Sequence, residues 1–178
     1  MAESFTNSIT RAAGIVTSNT LATIGVRATT ISGVSTVGVN VGDIVVNQHY
    51  FGGTKVSGLG VGQVTVDKQS TNTAIASSQS VKFLGPTTAF TSSSEKSILI
   101  GGTFANLTPN QTNLFVELFQ DSSGAVSLIA NEIPIPQGSS FVISDAGKTV
   151  MGIGDSIRVY SDTADSLDVT LGILRGVS

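Results

Sequence analysis

The chain lacks the residues on which several classes of protein depend. Cysteine is absent from its 178 residues, which excludes a disulfide-stapled scaffold and any thiolate metal site. Histidine occurs once, at His49, so a Ser-His-Asp triad would depend wholly on that residue, and no G-x-S-x-G sequence accompanies a serine. We therefore expect a protein that is not an enzyme and that uses no cofactor or metal ion.

Charged residues are also scarce. They make up 12% of the chain, about half of the roughly 25% that is usual. Because a soluble monomer normally keeps a charged surface, this deficit predicts that other subunits cover part of the surface, and we expect a homo-oligomer with a trimer as the preferred state. The alternative is a β-sandwich coated with Ser, Thr and Asn. The net charge of −3 lacks the excess of lysine and arginine that phosphate neutralisation requires, so direct nucleic-acid binding is not expected.

Long hydrophobic runs are missing as well. The first residues carry Glu3 where a signal peptide has its basic region, and no apolar segment follows, so we expect a chain that is made and used without export. The longest uncharged stretch, between Arg27 and Asp43, is interrupted by Ser, Thr and Asn. We therefore expect no membrane-spanning segment.

What the sequence does contain is a pattern of period two. β-Branched residues alternate with Ser, Thr and Gly almost throughout, which is typical of strands with one buried face. In residues 114–119 the two leucines and the valine fall on one face, and residues 121–124 (Asp-Ser-Ser-Gly) suit a hairpin turn. Several short strands with regular turns predict an all-β protein built on an antiparallel sandwich.

Composition divides the chain into three parts. Residues 85–178 hold most of the large apolar side chains and predict a jelly-roll-like β-sandwich domain that folds by itself. Residues 21–84 are rich in Gly and predict a smaller β-module, inserted into the sandwich or preceding it. Residues 1–20 predict an N-terminal arm that is ordered only against a neighbouring subunit, the alternative being that they form the first strand of their own sandwich. Four apolar residues of the arm are expected at an interface: Phe5, Ile9, Ile15 and Val16.

One tripeptide pattern occurs in both halves. Residues 41–43 (Val-Gly-Asp) and 153–155 (Ile-Gly-Asp) each precede a hydrophobic strand. A single shared tripeptide predicts the same kind of turn and does not establish a sequence repeat.

Residues 47–51 (Asn-Gln-His-Tyr-Phe) predict a polar and aromatic loop tip. We expect His49 to be a loop or interface residue, and Tyr50 and Phe51 to be exposed aromatic rings that can stack on a sugar. The carboxylates predict no further site. Asp162, Asp165 and Asp168 lack the spacing of a calcium loop, and the glutamates are too far apart in sequence to predict a glycosidase pair.

From Gly85 onward the chain resembles a family of small virion proteins of tailed phages with marine and cyanobacterial hosts. Four segments in the family's order carry the resemblance: 86–91 (PTTAFT), 96–108 (KSILIGG followed by FANLT), 133–140 (IPIPQGSS) and 154–169 (GDSIRV, Ser161 and LDV). The resemblance implies a β-sandwich in the virion, made in the host cytoplasm, that decorates the capsid or forms part of the neck or tail. Its partners would be its own copies and other virion proteins, and no catalytic residue carries over.

The chain departs from this family in one respect. Members open with a segment like residues 6–11 (TNSITR) placed directly before the next strand, whereas here residues from about Leu21 to Leu84 intervene and suggest an inserted module. Residues 31–38 (ISGVSTVG) and 53–56 (GTKV) resemble segments of phage fibre and appendage proteins. The alternative function is therefore a receptor-binding fibre head that binds a glycan of the host surface.

Overall fold

The computed structural model describes residues 3–144 and 148–177, without the side chains of residues 18–20. Within these residues the regular elements are β-strands, and the strand pairs are antiparallel. The prediction of an all-β antiparallel fold is confirmed. In this part of the chain no helix is long and apolar enough to cross a membrane.

The chain forms two compact units. Unit 1 combines Met1–Gly14 with Pro86–Ser178, and unit 2 is Ile15–Gly85. Unit 2 is therefore an insertion between the first and second strands of unit 1. Its boundaries differ from the predicted 21–84, because residues 15–20 belong to a long strand that pairs with the last strand of the same unit.

Unit 1 has two sheets. Its strands are β1 (Ser4–Ala13), β8 (Thr87–Thr91), β9 (Ser97–Asn106), β10 (Thr112–Phe119), β11 (Val126–Ile135), β12 (Ser140–Ile143), β13 (Thr149–Met151), β14 (Ser156–Ser161) and β15 (Leu167–Arg175). Sheet 1 has the order β1-β15-β9-β12, with β13 also beside β9, and sheet 2 has the order β11-β10-β14-β8. Because β12 and β13 pair with opposite ends of β9, they occupy one edge position together. The resulting eight positions follow the strand order of a jelly roll.

The core of unit 1 contains residues from both sheets. Alternate residues of β15 enter it, from Leu167 to Ile173, and β10 contributes Leu114 and Val116. These are the positions that the period-two pattern predicts to be buried.

The structure differs from the expected separate N-terminal arm. Strand β1 pairs with β15 from Ser4 opposite Arg175 to Ala13 opposite Leu167, and Ser8 Oγ donates to the carbonyl of Ala89 at 2.8 Å. The segment is ordered with few buried apolar side chains, because the backbone of β1 pairs with β15 and completes the sheet. Only Ala13 of β1 belongs to the core cluster. Residues 1–2 of the predicted arm lie outside the described residues.

Unit 2 is a closed six-stranded barrel. Its strands are β2 (Ile15–Ile24), β3 (Thr30–Ser32), β4 (Ile44–Val46), β5 (Val56–Gly60), β6 (Gln63–Val66) and β7 (Ala76–Gly85), in the order β4-β7-β2-β3-β6-β5. The two ends of this order meet, because the Val45 N–H donates to Thr54 O at 2.8 Å and the Val56 N–H donates to Asp43 O at 2.9 Å. Apart from Tyr50 and Phe83, the core cluster consists of Ala, Val and Ile. The core of this Gly-rich module is small, as expected, and it lies inside a closed barrel rather than on one face of an open sheet.

The two Gly-Asp turns have the same geometry. In residues 40–43 the Asp43 carboxylate accepts the Asn40 N–H at 2.8 Å, and in residues 152–155 the Asp155 carboxylate accepts the Gly152 N–H at 2.8 Å. Gly42 and Gly154 both have positive φ, at 96° and 91°. The shared tripeptide therefore specifies one turn in two units whose topologies are unrelated.

Candidate interaction surfaces

The outer face of sheet 1 carries exposed apolar side chains. Along β1, Ser8 and Thr10 point to the carbonyl of Ala89, whereas Phe5 and Ile9 point away from the sandwich. Their side chains are 78% and 69% exposed. These two predicted interface residues therefore belong to one surface of unit 1.

The register of sheet 1 aligns apolar residues from four strands. Phe5 lies opposite Leu174, Leu174 opposite Ile98, and Ile98 opposite Val150. Side chains paired in this way have Cβ atoms about 5 Å apart. We call these four residues the apolar row. Phe5 and Val150 are exposed, and the two central members are half-buried.

A second row runs parallel to the first. It consists of Ile9, Thr170, Thr103 and Val142. Between the two rows Asn7 lies opposite Gly172, and Gly172 lies opposite Gly101. Side-chain bulk is therefore missing at Gly172, between the exposed Asn7 and Gly101, where a Cβ would meet the Ile143 carbonyl oxygen at 2.8 Å; we call this line of residues the glycine groove.

This face has almost no net charge. The strands of sheet 1 contain three charged residues, Arg11, Asp168 and Arg175. The Arg11 Nε lies 3.8 Å from the Asp168 carboxylate at one corner of the face. Arg175 lies two residues after the core residue Ile173 on β15 and is therefore on the inner face of sheet 1. Its Nε lies 3.3 Å from the Glu95 carboxylate. Within its strands the outer face thus presents a single ion pair, and the exposed residues Glu3, Lys96 and Lys148 adjoin the starts of β1, β9 and β13.

The remaining predicted site residues belong to unit 2. Ile15 is exposed and Val16 is half-buried on β2, which pairs with β7, so they do not share β1 with Phe5 and Ile9. His49 is half-buried in the loop between β4 and β5, where its carbonyl accepts the Thr71 N–H at 2.8 Å.

The expectation that Tyr50 is exposed is wrong. Its side chain is only 8% exposed and belongs to the barrel core, and its hydroxyl donates to the carbonyl of Ala28 at 3.3 Å. Burial raises the pKa of Tyr50 to about 12, although a hydrogen bond with Ser70 opposes the shift. A ring held in the core cannot stack on a ligand.

Phe51 has the opposite environment. Its ring is 64% exposed, while its carbonyl accepts the Thr54 hydroxyl at 2.7 Å and fixes the turn. Polar groups occupy the same loop, where the Gln48 amide donates to Gln79 Oε1 at 3.2 Å. A loop that carries both an exposed ring and an amide group has the chemistry that binds a sugar through stacking and hydrogen bonds.

Sequence reasoning missed a buried charged cluster in sheet 2. Glu117 is completely buried, accepts a hydrogen bond from the Tyr160 hydroxyl at 2.6 Å and lies 3.8 Å from Arg158. The Arg158 guanidinium stacks on Phe119 at 3.6 Å from the ring centroid. The pairing follows from the register of β10 and β14, for which a single sequence gives no signal.

The aspartates near the end of the chain have structural partners. Asp162 accepts the Asn113 N–H at 2.8 Å and the Thr112 hydroxyl at 3.0 Å. Within residues 3–144 and 148–177, no group of three His, Asp or Glu side chains is arranged to hold a metal ion.

Comparison of the chain with protein-family models, curated protein sequences and solved structures gives no match. The inference of function therefore depends on the surfaces described above.

Proposed function

We propose that this chain is a non-enzymatic structural protein of a tailed-phage virion. It assembles with its own copies and with other virion proteins on the capsid, neck or tail. The observation that carries the proposal is the outer face of sheet 1, where two rows with exposed apolar ends lie on strands that present a single ion pair. Contiguous exposed apolar surface of this kind marks a protein interaction site.

Two further observations favour a virion over other kinds of protein assembly. Eight-stranded jelly rolls recur in viral capsid proteins, although lectins and cupins also use them. The sequence segments that resemble small virion proteins all lie in unit 1, and one of them forms β9 at the centre of sheet 1. Fold and resemblance therefore favour the same class.

Quantitative mass spectrometry of purified virus particles tests this proposal. We expect the chain among the virion proteins, in hundreds of copies if it decorates the capsid and in about a dozen if it belongs to the neck or tail. Its absence from particles, with the chain found only in the lysate of infected cells, would contradict the proposal.

A second candidate function is the binding of a host-surface glycan by unit 2. The exposure of Phe51 in the same loop as Gln48, whose amide donates to Gln79, favours it. Glycan-array binding that is lost in Phe51→Ala would support this function. A matched control is Val61→Ala, which removes an exposed apolar side chain from the β5–β6 hairpin of the same unit. An array without any bound glycan would remove the candidate.

A further inference from the structure

We propose that the outer face of sheet 1 binds a second copy of this chain, with the apolar row of each copy seated in the glycine groove of the other. The inference rests on the proposed assembly function and identifies the surface that performs it. It predicts a two-fold dimer, instead of the trimer expected from composition alone.

The spacing of the face is self-complementary. On β1 and β15 the residues of the apolar row and of the glycine groove are two apart, which is about 7 Å, and on β9 a bulge places Ile100 between Leu99 and Gly101, so the row and the groove are neighbouring features. A two-fold axis midway between them superimposes the row of one copy on the groove of the other, and the reverse contact forms by the same operation. Both copies thus bury Phe5, Ile98, Val150 and Leu174 together.

Gly172 supports a close approach from outside. Its φ is not in the left-handed region, and a Cβ added there would meet only Gly101 O at 3.8 Å, an ordinary contact. The described part of unit 1 therefore does not require glycine at this position, and glycine inside a strand costs about 0.5–1 kcal/mol relative to alanine. A side chain from another molecule seated in the groove does require it.

Charge favours a second copy over a partner of different chemistry. The strands of the face offer one ion pair, Arg11 with Asp168, at its corner, and the charged residues Glu3, Lys96 and Lys148 adjoin the strand ends and are of both signs, so two copies bring little net charge together. A strongly acidic or basic partner would instead leave its charges desolvated against apolar side chains.

The area of the face is sufficient for a dimer. Sheet 1 is four strand positions wide, and its strand β15 has nine residues. These dimensions correspond to roughly 19 by 30 Å, or about 570 Å² per copy. The total of about 1,100 Å² exceeds the roughly 1,000 Å² that a specific interface needs.

Light scattering of matched double variants tests the proposal. We expect the purified full chain to be a dimer, and Phe5→Lys/Val150→Lys to be a monomer. The control is Val37→Lys/Ile75→Lys, which changes two similarly exposed apolar residues of unit 2 and should remain a dimer. A monomeric or trimeric parent chain overturns the proposal, as does a dimer that survives in the first variant or is lost in the control.

Gly172→Val provides a second test that does not depend on added charge. Because a β-branched residue suits a strand and an added Cβ at Gly172 makes only an ordinary contact, we expect an unchanged or higher melting temperature together with loss of the dimer. A Gly172→Val dimer would show that the groove is not occupied. These results are independent of the particle analysis. If the chain is present in virions but its Gly172→Val variant still dimerises, this interface is disproved and the virion function is unaffected.

Discussion

Asp155 forms hydrogen bonds to three turns at one end of unit 1, and its replacement should therefore lower the stability of that unit. Its carboxylate accepts the Gly152 N–H at 2.8 Å and the Asp121 N–H at 3.0 Å. Its carbonyl accepts the Ser92 N–H at 2.9 Å, and its side chain is buried. Asp155→Ala removes both side-chain acceptors and leaves the two backbone N–H groups without them.

The size of the effect follows from these two bonds. A hydrogen bond to a charged group contributes about 1.5–3 kcal/mol, so we expect the loss of two in Asp155→Ala to lower the free energy of unfolding of unit 1 by about 3–6 kcal/mol. Asp155→Asn keeps one acceptor oxygen and should lose about half as much. The matched control is Asp43→Ala, which removes the corresponding bond to Asn40 in unit 2. Because the Asp43 carboxylate accepts one backbone N–H where that of Asp155 accepts two, the loss should be smaller.

The assay uses the distribution of tyrosines. The chain has two tyrosines and no tryptophan, and Tyr160 belongs to unit 1 whereas Tyr50 belongs to unit 2. In a Tyr50→Phe background, near-ultraviolet circular dichroism during urea denaturation therefore reports on unit 1. A loss below about 1 kcal/mol for Asp155→Ala, less than one typical charged hydrogen bond, would refute the reasoning.

Two further predictions concern single positions. Gly154→Ala should lower the melting temperature more than Gly42→Ala, because both residues have positive φ but only the Gly154 Cβ would meet Asp121, at 2.7 Å from Oδ2; equal shifts would show that the side chain of Asp121 moves away freely. Tyr50 should ionise at about pH 12 rather than at its ordinary pKa of 10.0, so stability falls as the pH rises from 10 towards 12. The difference between the tyrosinate absorbance titrations of the parent chain and Tyr50→Phe measures this pKa, and a transition near pH 10 in folded protein would contradict the burial.

Local pattern was sufficient to predict some elements of the fold. Alternation along residues 167–173 identified the face of β15 that enters the core, and the Gly-Asp tripeptides identified two turns. Both features depend on neighbouring residues, because strand parity and turn geometry are set within a few positions.

Features that depend on register could not be predicted. The apolar row joins Phe5, Ile98, Val150 and Leu174, which are far apart in sequence and meet only because three strand pairs have particular registers. A shift of one residue in any pair would turn one member to the other face. Tyr50 was misassigned for a related reason: it adjoins Phe51 in a loop, where no alternation distinguishes a buried ring from an exposed one.

Unit 1 should fold without unit 2, provided that β1 is kept. Ile15 and Gly85 are paired residues at the two ends of unit 2, and paired antiparallel residues have Cα atoms about 5 Å apart. A two-residue Asn-Gly link can therefore join residues 1–14 to residues 86–178. The predicted sandwich of 85–178 alone lacks β1, which leaves β15 as an open edge and removes Ala13 from the core.

We expect the joined chain to unfold cooperatively in urea with a near-ultraviolet signal from Tyr160, its single tyrosine. The chain of residues 86–178 should be less stable and prone to association, because an unpaired strand edge is a template for pairing with other molecules. A joined chain without a cooperative transition would show that unit 1 needs the barrel to fold. Equal stability of the two chains would show instead that β1 contributes nothing to the sandwich, and would return residues 1–14 to the role of an arm that is ordered by a neighbouring subunit.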